Sequence, residues 1–322
     1  MYSYSSKFSD RIHSLLDFRK SLGLSIVTYE YNLSLFDKFC CNKYPEETML
    51  TSQVVNDWLE DEADCGRGGL RDKYIDIRYF GRYLSSLGEE AYIIPIKFTP
   101  KQQPYSPYIL SDSELSDFFH TVDAFFADAS YPLKQHVFSV MFRLIYTCGL
   151  RPGEGIRLMK SDVNLMTGEI ILRKTKQYKE RIIVVSDDML SLLKEYCFLL
   201  ETYSPDCECL FPDESGNLYK AGTVSSYFRK CWMACVGVND IHNCPRFRIY
   251  DLRHRFATTV LQKWLDEGKD IYSVIPYLRV YMGHAKLEET LYYVHLLPEN
   301  LLQSEKIDWG KLNSMIPEAH YE

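Results

Sequence analysis

The chain has 322 residues, 46% of them hydrophobic and 25% charged, enough for two packed domains with separate cores. A formal net charge of −7 argues against a protein that coats nucleic acid by overall charge, although local basic patches decide such binding. The N-terminus lacks the unbroken apolar run of a secretory leader and no later segment reaches membrane-span length, so a soluble, cytoplasmic protein is expected, nucleoid-associated in a bacterium.

Apolar periodicity predicts helices over 4–23, 25–44, 51–64 and 68–88, with no strand signal, and hence a small helical domain over 1–97. In the fourth helix Arg67, Arg71, Arg78 and Arg82 fall on one stripe, with Leu70, Ile77, Phe80 and Leu84 on the other. Such a stripe is either a solvated face or a DNA contact. Pro95, Pro100, Pro104 and Pro107 then mark an extended stretch, read as a linker over 98–108.

The second domain, 109–300, opens with Ser111 and Glu114 as a capping box. An almost wholly apolar helix ending at Gly149 crosses its core. β-branched runs at 169–172 and 182–185 predict a small antiparallel sheet, after which helical patterns return. The fold class is therefore mainly α, with α+β character in the second domain. The stretch 173–181 carries five cations, Lys174, Lys176 and Lys179 among them, against one acid; 246–255 carries four arginines and a histidine against one acid. The tail 301–322 keeps apolar residues at Leu301, Leu302, Ile307, Trp309 and Leu312, more than a disordered end needs.

Ten cysteines lie on helix-like segments of a chain too large to need disulfide staples, so reduced thiols are expected. Cys207 with Cys209, and Cys231 with Cys235 near His242 and Cys244, invite a zinc reading. With no C-x-x-C knuckle, burial is the better account and no metal is expected.

Arg151 stands between a helix ending at Gly149 and one opening at Pro152, and alone its pairing with Glu154 would be read as structural. Downstream come a basic hairpin with Lys176, then "YDLRHRFAT", then "MGHA", then Tyr293 nine residues after His284. Together and in this order, these stations resemble the tyrosine recombinase/integrase family, phage-integrase-like site-specific recombinases. The resemblance implies a helical core-binding (SAM-like) domain followed by an α+β catalytic domain, the two forming a clamp around duplex DNA. It implies that Arg151 and Arg253 hold the scissile phosphate, that Lys176 is the hairpin lysine, and that His284 is the family's second histidine. It further implies that Glu154 supports Arg151, that His254 braces the fold, and that Tyr293 is the nucleophile. Tyr250 departs from the pattern by standing where the family's first histidine is usual; a phenol can donate to a phosphate oxygen but is a poor base at neutral pH. The path between Arg253 and Gly283 is longer than usual and reads as a helix pair.

The implied chemistry is tyrosine attack on a phosphodiester, with guanidiniums meeting the charge that develops on the non-bridging oxygens and a lysine protonating the leaving 5′ oxygen. Energy is kept in a 3′-phosphotyrosyl bond, so neither ATP nor any other cofactor is required. Tyr292 is expected to pack, pointing about 100° away from Tyr293 on a helix. On the helix 223–236, Arg229 and Lys230 are expected to meet the DNA backbone.

The expected function is integration or excision of a mobile element. The expected partners are double-stranded DNA at specific sites, a second copy on each site, a tetramer in the synapse, and an accessory DNA-bending or directionality protein. The tail either docks on a neighbouring protomer or folds back. Two alternatives are a DNA-binding architectural or regulatory protein whose site has decayed at Tyr250, and a type IB topoisomerase-like nicking-closing enzyme.

Overall fold

A computed structural model describes residues 2–65, 67–101, 105–126, 131–173, 180–240 and 242–297. Lys174, Lys176, Lys179 and the tail 301–322 lie outside these residues, as does the side chain of Arg67. The chain separates into two compact units, Met1–Tyr105 and Ser106–Glu322.

The first unit is built on α1 (Ser9–Ser21), α2 (Val27–Lys43), α3 (Ser52–Asp61) and α4 (Arg67–Ser86). Its core is aromatic: Phe36 meets Phe8, Trp58 and Phe80 at ring-centroid distances of 5.5, 5.3 and 6.2 Å. Asp37 is buried there, and its carboxylate accepts from Ser5 N, Ser6 N and the Ser6 hydroxyl, which anchors the entry to α1 on α2. Thr51 caps α3 by accepting from Val54 N.

The arginine stripe on α4 does not survive intact. Arg78 is buried, and its guanidinium donates to Ile94 O at 2.7 Å, to Pro95 O at 3.2 Å and to the Thr99 hydroxyl. Arg71 donates to Pro100 O at 2.9 Å. Both tie the stretch after α4 back onto the helix by donating to its carbonyls. Arg82 is exposed. Arg78 is therefore a buttress and not the DNA contact read from the stripe.

The second unit is mainly helical with one small sheet, as the sequence predicts. It comprises α5 (Asp112–Phe125), α6 (Leu133–Thr147), α7 (Pro152–Ile156), β1 (Glu169–Leu172), β2 (Arg181–Val184), α8 (Asp187–Tyr203), α9 (Ala221–Cys235), α10 (Ile249–Asp266), α11 (Ile271–Met282) and α12 (Glu288–Leu291). The Ser111–Glu114 capping box opens α5. α6 contributes eight buried residues to a core shared with α5, α8 and α9, where Phe118, Phe142, Phe228 and Phe247 pack ring on ring. β1 and β2 pair antiparallel, with Leu172 opposite Arg181 and Ile170 opposite Ile183. A second cluster joins α10, α11 and α12 through Leu261, Ile275, Met282 and Leu291. Cys231 is buried on α9, and among the described residues no group of metal-ligating side chains forms. Among the same residues no helix is long and apolar enough to cross a membrane.

Candidate active site

Four segments of the second unit converge on one cavity. The first leaves α6 through Gly149, whose φ is +58° and where a Cβ would lie 2.3 Å from a Phe256 ring carbon, so only glycine allows this exit. Two residues on, Arg151 caps α7: its backbone N and Nη1 both donate to the Glu154 carboxylate at 2.9 Å, and its Nη2 donates to Gly283 O at 2.6 Å.

The second segment is the opening of α10. Tyr250, Arg253 and His254 share a face because they are spaced i, i+3, i+4. Arg253 is fully buried; Nη1 donates to Gly149 O at 2.6 Å, while Nη2 donates to Met282 O at 2.7 Å and to His284 Nε2 at 2.8 Å. It thus holds the ends of α6 and α11 together.

The third segment is the end of α11, where Gly283 adopts φ +65° and turns the chain to His284. His284 Nδ1 lies 2.8 Å from Thr290 Oγ1. The fourth is α12 and the turn after it, which carries Tyr292 and Tyr293. The Tyr293 ring stacks on His284, centroids 5.7 Å apart and planes at 23°, and lies 5.4 Å from the His254 ring.

The cavity encloses about 310 Å³, and its walls include Arg151, Tyr250, His254, His284, Tyr292 and Tyr293. Burial dominates its electrostatics. It pushes the Tyr293 phenol up to about 12 against the opposing pull of Arg253. Burial, then the charges of Arg253 and Arg151, press His284 down to about 3; burial, then Arg248 and Arg253, press His254 down to about 4. Both imidazoles are neutral at pH 7. Burial alone would raise Glu154, but its hydrogen bond with Arg181, the charge of Arg181 and its hydrogen bonds with Arg151 outweigh that and hold it at about 2.

The structure thus brings together Arg151, Glu154, Tyr250, Arg253, His254, His284 and Tyr293. Lys176 lies outside the described residues. Arg229 and Lys230 are exposed on α9. The two tyrosines reverse one expectation: Tyr293 is 2% exposed and Tyr292 39%, so Tyr292 is the outward ring and Tyr293 the packed one. α12 ends at Leu291, and the pair sits on the turn into a 3-10 segment (Val294–Leu296) instead of on one continuous helix.

Two residues that the motif reading passed over complete the site. Arg181 donates Nη1 and Nη2 to the Glu154 oxygens at 2.9 and 2.8 Å, and Nε to Tyr281 O at 3.0 Å. Its signal was an arginine on the same face of β2 as the inward Ile183. Thr290 gave no sequence signal beyond lying one helical turn before Tyr293.

Residues 110–300 match the sequence profile of the phage integrase family. The chain belongs to that family. It is a tyrosine recombinase, an enzyme of site-specific DNA recombination. It is 26% identical over 293 residues to the tyrosine recombinase XerD of Rickettsia bellii, covering 86% of this chain and 90% of that one. Its fold is similar to that of the XerH site-specific recombinase bound to palindromic difH substrate in a post-cleavage complex (TM-score 0.63, 21% identity, 86% of this chain and 77% of that one). It also resembles the fold of a lambda integrase tetramer bound to a Holliday junction (TM-score 0.62, 14% identity, 93% and 79% of the two chains).

Proposed function

We propose that this recombinase cleaves duplex DNA by attack of Tyr293 Oη on a phosphodiester, forming a 3′-phosphotyrosyl bond and releasing a 5′ hydroxyl. The observation that carries this reading is the convergence of Tyr293, Arg151, His284 and Tyr250 on one cavity from four separate segments, with Arg253 buried directly behind His284. Charge that develops on the non-bridging oxygens is met by Arg151, whose Nη2 exchanges the Gly283 carbonyl for a phosphate oxygen, while Arg253 adds its charge from behind His284. Neutral His284 and the Tyr250 phenol add polar contacts, with Tyr250 donating where the family usually has an imidazole. Lys176 protonates the leaving 5′ oxygen, and the reverse attack by a different 5′ hydroxyl rejoins the strands.

Exposed Arg82, Arg229 and Lys230 supply phosphate-backbone contacts on the two units. The N-terminal unit serves as the core-binding domain. The protein works on paired sites, as a dimer on each and a tetramer in synapsis, and serves integration or excision of a mobile element. The lambda integrase tetramer on a Holliday junction, a structure of the same fold, supports this assembly. The test is recombination between two copies of a site on one plasmid. Exchange of flanks supports the reading, whereas relaxation of the plasmid without exchange points to nicking and closing alone.

A further inference from the structure

Glu154 is buried, yet its carboxylate is shared between two guanidiniums and not paired with one. Oε1 accepts from Nη1 of Arg151 and Nη1 of Arg181; Oε2 accepts from the backbone N of Arg151 and Nη2 of Arg181. Two positive charges and one negative leave the cluster with a surplus of one positive charge beside the cavity. Nε of Arg181 donates to Tyr281 O, so the guanidinium also fixes the last turn of α11. Its seat is tight: a Cβ at Gly283 would lie 2.9 Å from Arg181 Nη1. Gly283 in turn offers the carbonyl to which Arg151 donates, and the next residue is His284.

We infer that Arg181 is a positioning residue for the cleavage step. By binding both oxygens of the Glu154 carboxylate in competition with Arg151, it prevents Glu154 from neutralising Arg151. By holding Tyr281 O and packing on Gly283, it sets the height of Arg151 and His284 over the cavity. A guanidinium is required, because an ammonium cannot span both carboxylate oxygens and a third acceptor at once. Arg181 is the first residue of β2, so the same side chain joins the foot of the basic hairpin to the arginine that meets the phosphate.

This inference rests on Tyr293 being the nucleophile. The experiment is single-turnover formation of the protein–DNA adduct, using nicked duplexes tiled from the DNA on either side of the chain's own gene, alongside DNA affinity and thermal melting of each variant. Arg181→Met is expected to bind the duplex as the wild type does and to form adduct slower by tenfold or more, the scale on which a transition-state charge contact is lost. Adding Glu154→Gln restores the surplus charge on Arg151 and is expected to recover part of the rate, which a merely structural role for Arg181 would not allow. Arg181→Lys, which keeps the charge and one ion pair, is expected to fall between wild type and Arg181→Met.

Wild-type rates in Arg181→Lys, or in a folded Arg181→Met, overturn the inference. So does a double variant no faster than Arg181→Met when both melt normally. An absence of wild-type adduct on every duplex overturns the Tyr293 reading and this one with it; wild-type adduct with undiminished variants overturns this one alone.

Discussion

Arg253 Nη2 donates to His284 Nε2 at 2.8 Å, and a guanidinium has no acceptor to offer in return. His284 Nε2 is therefore unprotonated, its proton is on Nδ1, and Nδ1 donates to Thr290 Oγ1 at 2.8 Å. The resting tautomer is set by the two neighbours together. Thr290→Val keeps the shape and removes the acceptor, so the imidazole loses the partner that fixes its ring. Adduct formation is expected to slow on the order of tenfold, equivalent to one positioned hydrogen bond, with DNA affinity unchanged and Thr290→Ser restoring most of the rate. A valine variant as fast as wild type removes Thr290 from the account.

The contrast between the paired tyrosines gives a second expectation. Tyr293 lies against His284 and His254 with Arg253 beside its phenol, whereas Tyr292 is the outward ring. Tyr292→Phe is expected to retain covalent cleavage within a few-fold, and Tyr293→Phe to abolish it while binding DNA as before. Adduct formed by Tyr293→Phe would move the nucleophile to the exposed ring.

Acid should destabilise the second unit. His254 and His284 have folded values of about 4 and 3, below the ordinary histidine value near 6.5, so the unfolded chain binds more protons between those limits. The stability their neutral burial confers is complete above about pH 6.5 and is lost as pH falls through the folded values. Glu154, held at about 2, adds a loss of the same sign below the ordinary carboxylate range. The melting temperature is expected to drop steadily from pH 7 towards pH 4, with His254 alone worth on the order of 3 kcal/mol. A flat profile over that range contradicts neutral buried imidazoles.

Much of this could be read from the chain, and the parts that could not share a cause. The capping box at Ser111 and Glu114, the two strands and the helix pair after Arg253 follow from local pattern, which is set by neighbours in sequence. Arg151, Arg253, His284 and Tyr293 are legible because their motifs, weak singly, stand together in the order of a known family. Arg181 was passed over because its partners, Glu154 and Tyr281, lie far from it in sequence and only the closed fold brings them together. The burial of Arg78 was hidden for the same reason: helical spacing gives the stripe, but the segment at 94–99 that covers it returns from outside the helix. The reversed exposure of the two tyrosines depends on where α12 stops, and the sequence gives no cap there.

That burial of Arg78 separates two arginines that one stripe made look alike. Arg78→Ala leaves the Ile94 carbonyl without its donor and is expected to cost the first unit about 1–3 kcal/mol, seen as a lower melting temperature. Arg82→Ala is expected to leave melting unchanged and to reduce both DNA affinity and its salt dependence, by about one phosphate contact. The opposite pattern, with Arg78 governing salt dependence, contradicts the buttress.

Gly149 offers a test of how tightly the site is framed. Alanine there meets a positive φ and the Phe256 ring at once, with α6 unable to withdraw because Arg253 holds Gly149 O. Gly149→Ala is expected to cost about 2–4 kcal/mol of stability, and Phe256→Leu in the same chain to recover part of it by freeing the space. Unaltered stability in the single variant contradicts the framing.

The central claim is that Tyr293 forms the covalent bond. The most direct measurement incubates the full chain with nicked duplexes from the DNA flanking its own gene, denatures in detergent, and maps the nucleotide-bearing peptide by mass spectrometry. A nucleotide on Tyr293 is the predicted result, and it also reads out the cleavage site. DNA binding without an adduct, or an adduct on another residue, would contradict the account.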